Sequence, residues 1–248
     1  MFVAIARIPE HPEALKRAAM ATGQALADVS RLLAGTLPRI LVRATQDGDG
    51  LVQALEALGF LAFTGDVAAV PGDSDRVVAR GIEWLAGGFA ALDGRGQQHL
   101  CTLDSLALFQ RGSRVIETSE IIKRTEKRLD VGRALLSGGL MLTKKVETTS
   151  VRTDSNKEAF LLIQRGDGRP EIIIHERRFN YACMGAAIQS STHGNLMALL
   201  LHLRTIAPEV PFDDRVNRPG FVAGLPLMAA DPVDLALHLT AQAQRRGC

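Results

Sequence analysis

The chain has 248 residues, of which 46% are hydrophobic and 23% charged, and its formal net charge is +2. These values exclude a disordered chain and a surface that binds nucleic acid or membrane over its whole area. No apolar run approaches the ~18 residues of a membrane span, and the start lacks a secretory signal's basic flank. The cysteines Cys101, Cys183 and Cys248 form no CxxC pair, which predicts free thiols in a reducing, cytoplasmic compartment.

Residues 1–71 predict a small domain in which strands and helices alternate. Apolar residues at helical spacing indicate helices over residues 12–22, 25–34 and 49–58. Short apolar runs indicate strands over residues 2–7, 39–44 and 60–64, with a fourth at 67–70. The order β-α-α-β-α-β predicts a small α/β sandwich.

Part of this domain resembles a known family. The helix of residues 25–34 is followed by Gly35 and Pro38, and residues 54–59 read Ala-Leu-Glu-Ala-Leu-Gly. This pattern resembles the C-terminal domain of the bacterial ribosomal stalk protein over residues 2–64. That family presents a lysine-rich helical face to translation factors, whereas residues 24–35 carry only Arg31 as a basic group. The resemblance therefore implies a fold and no role in translation.

A second, larger domain is predicted for residues 76–248, after the turn-rich boundary Pro-Gly-Asp-Ser-Asp at 71–75. Strands are expected at 76–85 and 88–92, and hairpins at 105–117, across Arg111 and Gly112, and at 159–179. A helix is expected at 195–206, residues 207–230 are expected to be extended, and Asp231 with Pro232 begins the last helix. This element order is similar to the pleckstrin-homology-like layout. The predicted class is α+β, with a β-rich second domain closed by a helix.

Motifs for catalysis, nucleotides and metals are not found. Gly139 stands too far from Lys144 for a phosphate-binding loop, and the histidines are scattered without zinc-ligand spacing. Residues 190–193, Ser-Ser-Thr-His, are expected to cap the helix that follows. The sequence therefore predicts no catalytic motif, no cofactor and no metal site.

Positive charge is concentrated in one segment. Residues 111–157 hold eleven basic and six acidic side chains, a net +5, and the remainder of the chain carries −3. A helix over Glu120 to Leu136, within a basic insertion at about residues 118–157, would place four bases on one broad face. The candidate partner-binding residues are Lys123, Arg124, Lys127, Arg128, Lys144 and Lys145. The alternative is a solvated helix stabilised by local pairs such as Glu120 with Arg124.

Three functions follow from these patterns. The leading hypothesis is a non-enzymatic adaptor or regulatory protein that binds a protein partner, with self-association as a further option. A second hypothesis is a hydrolase with a dispersed site, formed by His175, Glu176, Cys183 and His193. A third is weak binding of nucleic acid through the basic segment, which the scarcity of aromatic residues disfavours.

Overall fold

The computed structural model describes the backbone of residues 1–43, 47–129 and 143–247, and side chains except those of residues 117–155. Two compact units are present, one formed by Met1–Arg114 with Ala159–Cys248 and the other by Val115–Glu158. Helices and several sheets are combined, which confirms the predicted α+β class. No helix of the described residues is both long enough and apolar enough to cross a membrane.

The structure contains five α-helices and eleven strands over the described residues. The helices are α1 Ala14–Thr22, α2 Leu26–Leu32, α3 Gly48–Ala57, α4 Thr192–Ile206 and α5 Pro232–Arg245. The first strands are β1 Phe2–Arg7, β2 Arg39–Arg43, β3 Leu61–Gly65, β4 Val77–Ala79, β5 Gly81–Leu85 and β6 Gly88–Leu92. The others are β7 Gln98–Thr102, β8 Leu106–Leu129, β9 Thr143–Arg165, β10 Ile172–His175 and β11 Phe212–Asp213.

The N-terminal sheet is antiparallel, with the strand order β2-β1-β3. Its central strand β1 is apolar from Phe2 to Ala6, and these residues alternate between two cores. Val3 and Ile5 pack with the helices α1, α2 and α3 on one face. Phe2 and Ala4 face a second core, which also contains Phe160. Both faces of this sheet are therefore covered.

A five-stranded sheet of order β11-β8-β9-β10-β4 separates the second core from a third. In β9, Leu162 joins the core of the N-terminal sheet, whereas Leu161 and Ile163 join the third core. Helix α5 lies in the second core with Leu235 and Leu237 almost fully buried. The N-terminal sheet and the five-stranded sheet thus share one core, and the predicted domain boundary at 71–75 stays a prediction.

The third core lies between the five-stranded sheet, helix α4 and an antiparallel sheet of order β5-β6-β7. Phe89 and Cys101 contribute from this small sheet, and Leu196 and Leu199 contribute from α4. The apolar stripe predicted for the helix at 195–206 is buried here, which confirms that helix. Strand β7 was not predicted, because its sequence Gln-His-Leu-Cys-Thr buries only Cys101.

Three predicted elements are wrong. Residues 67–69 form a 3-10 turn capped by Asp66 instead of a strand. The predicted hairpin across Arg111 and Gly112 is one continuous strand, β8. A Cβ at position 112 would overlap the ring of Phe160 on the adjacent strand, so the glycine permits a close approach and does not make a turn. Residues 120–129 of the predicted basic helix also belong to β8, and residues 130–136 lie outside the described residues.

Other predicted elements are confirmed. Ile172 pairs with Ile163 in the antiparallel hairpin of β9 and β10. Asp231 caps α5 by accepting hydrogen bonds from the backbone N–H groups of Val233 and Asp234, and Pro232 is the first helical residue. The sequence signals were reliable here because each arises from a local interaction that tertiary contacts leave intact.

A buried cluster of charges joins the start of β4, the strand β8 and the beginning of α5. The Arg76 side chain is 1% exposed and donates to Asp234 at 2.5 Å and to Glu171 at 3.0 Å. Arg114 donates to the same Asp234 oxygen at 2.7 Å and to Asp73 at 2.5 Å. Each buried charge therefore has opposite charges around it, which is the condition for a tolerable desolvation cost.

We expect Arg76→Met to lower the free energy of unfolding by about 3 kcal/mol, since it removes one partner from a buried ion cluster. Arg31 is the control, because its pair with Asp28 at 2.9 Å is exposed and Arg31→Met should have little effect. Urea unfolding of both variants measures the difference. Equal shifts in the two midpoints would show that the cluster adds nothing to stability.

His238 in α5 predicts a loss of stability in acid. Burial lowers its pKa from the usual 6.5, and the positive charges of Arg245 and Arg76 lower it further. The folded protein therefore binds the proton less readily than the unfolded chain, so stability decreases as the pH falls below 6.5. The urea midpoint of His238→Gln should fall less between pH 7.5 and 5.5 than that of the unmodified protein. The exposed His11→Gln should match the unmodified protein, and identical falls in all three would refute the assignment.

Candidate functional site

A groove of about 600 Å³ runs along the free edge of the N-terminal sheet. Its lining comes from the loop Gly23 to Ala25, from helix α2, from residues Ile40 to Arg43 of β2 and from Pro226. The helix packs on one face of the sheet through Val29, and the segment before Pro226 packs on the other through Leu225. The groove therefore lies at the sheet edge, between elements on its two faces.

The backbone of β2 faces this groove. Four consecutive residues of β2 line it, although alternate side chains of a strand point to opposite faces. The set is continuous because the edge of the strand borders the space and because the register with β1 shifts at Leu41, which has no Cα partner in β1. Among the strands of the described residues, β1 is the single neighbour of β2 in the sheet. An edge of this kind carries backbone groups that a further strand can pair with, apart from the Leu41 oxygen, which already accepts a hydrogen bond from the side chain of Gln24.

Gln24 supplies a polar side chain to the lining of the groove. It lies just after Gly23, whose φ of 66° ends α1 and turns the chain toward the groove. Its side-chain Nε2 donates to the backbone oxygen of Leu41 at 3.2 Å, which fixes the orientation of the amide. Its Oε1 is buried and has no hydrogen-bond partner among the described residues. The Gln24 side chain therefore closes part of the β2 edge at Leu41 and fixes the loop that follows α1 against the groove.

Apolar side chains flank the groove. Leu26, next to the lining residue Ala25, is 48% exposed, and Leu227, next to Pro226, is 89% exposed. Leu32 lines the groove itself and is half-buried. Exposed apolar residues that cluster around a cleft are typical of a binding site, although single ones are common on any surface.

Arg39 holds one side of the groove in place. Its guanidinium donates to the backbone oxygens of Phe221 and Gly220, both at 2.9 Å, and lies 5.6 Å from the Phe221 ring centre. No carboxylate accompanies it in these contacts, and burial lowers the pKa of Arg39. A Cβ at Gly224 would overlap this guanidinium, so the glycine is needed for the chain to pass it. The segment that leads to Pro226 is thereby fixed against the sheet.

The basic residues predicted as a partner surface are not tested by the structure. Lys123, Arg124, Lys127 and Arg128 belong to β8, and their side chains lie outside those described. The expectation that one helical face gathers them is wrong, because a strand alternates successive positions between two faces. Lys144 and Lys145 belong to β9, and their side chains also lie outside those described.

The dispersed hydrolase site is only partly assembled. Glu176 accepts a hydrogen bond from Thr192 at 2.8 Å and lies 3.7 Å from the Nδ1 of His193. Cys183 has Trp84 as a hydrogen-bond partner, since its backbone oxygen accepts from the indole N–H at 3.0 Å. Ser191 caps α4 by accepting from the N–H of Gly194 at 3.0 Å, which confirms the capping prediction for this segment.

His175 is buried at the end of β10 beside the core. Burial raises the pKa of the Cys183 thiol, the opposite of what an activated nucleophile needs. Among residues with described side chains, no three His, Cys, Asp or Glu residues lie close enough together to hold a metal ion.

The groove itself was not found from the sequence. The sequence did predict a strand at 39–44 and an apolar residue at Leu26, which both belong to the groove region. It could not show that β2 lies at the edge of the sheet, because that position depends on pairing between distant strands.

Comparisons with protein-family models, with curated proteins and with solved structures gave no match. The resemblances to the stalk-protein domain and to the pleckstrin-homology-like layout therefore stay predictions.

Proposed function

We propose that this protein is a non-enzymatic adaptor or regulatory protein that binds an extended segment of a partner protein in the groove beside β2. The observation that carries this proposal is the groove of about 600 Å³ along the edge strand β2, flanked by the exposed side chains of Leu26 and Leu227. Strand addition supplies backbone N–H and C=O groups along such an edge, and side-chain pockets add selectivity.

An added strand suits the dimensions of the groove. Four residues of β2 border it, and an added strand rises about 3.4 Å per residue, so a segment of four to six residues matches its length. The alternating side chains would then face α2 on one side and Pro226 on the other.

A different chain is favoured over a second copy of this one. Strand β2 has arginine at both ends, Arg39 and Arg43. If two copies of β2 paired antiparallel about Leu41, each Arg39 position would lie opposite an Arg43 position. Like charges opposite each other destabilise a strand pair. The arginines therefore disfavour self-association through this edge.

The thiols support a binding role over a covalent one. Burial raises the pKa of both Cys101 and Cys183, so neither is activated as a thiolate. Both are free cysteines, which is consistent with the reducing, cytoplasmic location that we propose. The basic segment at 111–157 remains a second candidate surface for the same partner.

We expect Ala25→Trp to weaken peptide binding at least ten-fold, because the indole would occupy the groove. The test selects peptides from a displayed library of random twelve-residue sequences against the whole protein, and then measures their Kd for each variant. Ala27→Trp is the matched control, since Ala27 is exposed on the same helix and does not line the groove. The proposal fails if the selection enriches no peptide family, or if both tryptophan variants bind the enriched peptides equally.

We also expect the thiols of Cys101 and Cys183 to react slowly. In a Cys248→Ser variant, an aromatic disulfide reagent at pH 7 should label the folded protein roughly ten-fold more slowly than the protein unfolded in guanidinium. Adding Cys183→Ala to this variant leaves Cys101 as its one thiol, and the comparison shows which labelling rate belongs to each cysteine. A Cys183 that reacts in the folded state as fast as an unfolded thiol would favour the hydrolase hypothesis instead.

A further inference from the structure

One end of the groove carries a positive charge without a described counter-charge. Of the three charged residues that line it, Asp28 and Arg31 pair with each other at 2.9 Å. Arg43 ends β2 and is exposed, and no carboxylate lies within ion-pair distance among the described residues. The next three residues, Ala-Thr-Gln, have no ionisable side chain. The groove therefore combines apolar side chains, one internal ion pair on α2 and one positive end.

We infer that the partner segment is a short apolar strand with an aspartate or glutamate at the end that lies beside Arg43. This inference rests on the proposed function, because it specifies the occupant of the same groove. Both sides of an added strand would be covered, one by the α2 side near Leu32 and the other by Pro226. Apolar side chains on both faces of the segment would then be buried, as in a strand of a buried sheet.

The carboxylate belongs at the Arg43 end and not at the other. The middle of the groove is lined by Ile40, Leu41 and Val42, where a charge would be desolvated without a partner. Arg43 offers a planar guanidinium that suits two hydrogen bonds to a carboxylate. The position of the acid in the segment therefore fixes how far the strand enters the groove and which register it takes.

The direction of the added strand determines which end of the segment is acidic. Arg43 is the C-terminal residue of β2, so a parallel segment would bring its C-terminal end to Arg43 and an antiparallel segment its N-terminal end. Two probes separate these cases: blocked six-residue peptides with the sequences Thr-Val-Ile-Val-Glu-Thr and Thr-Glu-Val-Ile-Val-Thr. Each is compared with the same peptide carrying lysine in place of glutamate.

Fluorescence anisotropy of the labelled peptides with the whole protein tests the inference. One glutamate peptide should bind about ten-fold more tightly than its lysine counterpart, because an attractive contact replaces a repulsive one. Arg43→Glu should reverse this preference. Arg17→Glu, an exposed change outside the groove, should leave it unchanged. The preference should also shrink as salt is raised from 0.05 to about 0.5 M.

The outcomes distinguish this inference from the proposed function. If glutamate and lysine peptides bind equally, and Ala25→Trp weakens both, the acidic preference is overturned and the groove still binds a strand. The same conclusion follows if library-selected peptides bind in the groove but neither glutamate peptide does. If Arg17→Glu changes the preference as much as Arg43→Glu does, the assignment to Arg43 is overturned. If nothing binds in either experiment, both proposals fail.

Discussion

The burial of helix α5 between two sheets is the constraint on which this fold depends. Leu235, Leu237 and Leu239 are almost completely buried, in a core that also contains Phe2 and Phe160 from the two sheets. A helix that is covered on most sides must find partners for its polar groups inside the protein. Its charged beginning therefore lies in the Arg76 cluster, where Asp234 accepts from two arginines.

The polar residues in the middle of α5 are satisfied in a similar way. Gln110 of β8 is fully buried and donates to the backbone oxygen of Leu237 at 3.0 Å and to the hydroxyl of Thr240. Its own oxygen accepts from Gln164 of β9 at 2.8 Å. These directional bonds fix the helix against two strands of the five-stranded sheet. Apolar packing alone would specify the rotation of the helix about its own axis less well.

Local signals were readable in the sequence, and long-range ones were not. Asp231 and Pro232 identified the start of α5 because capping depends on neighbouring residues only. Gly112 was misread as a turn because its purpose, room for the Phe160 ring, depends on a strand some fifty residues away. The groove was missed for the same reason, since the edge position of β2 arises from pairing between distant strands.

The shared core has a consequence for how the chain folds during synthesis. Strand β1 leaves the ribosome long before α5, yet Phe2 and Ala4 are buried in a core that α5 completes. The inner face of the N-terminal sheet must therefore stay uncovered until most of the chain has been made, and these pairings have a high contact order. The nascent protein would present an apolar sheet face to chaperones throughout that interval, and folding would reach its final cooperative step only when α5 docks.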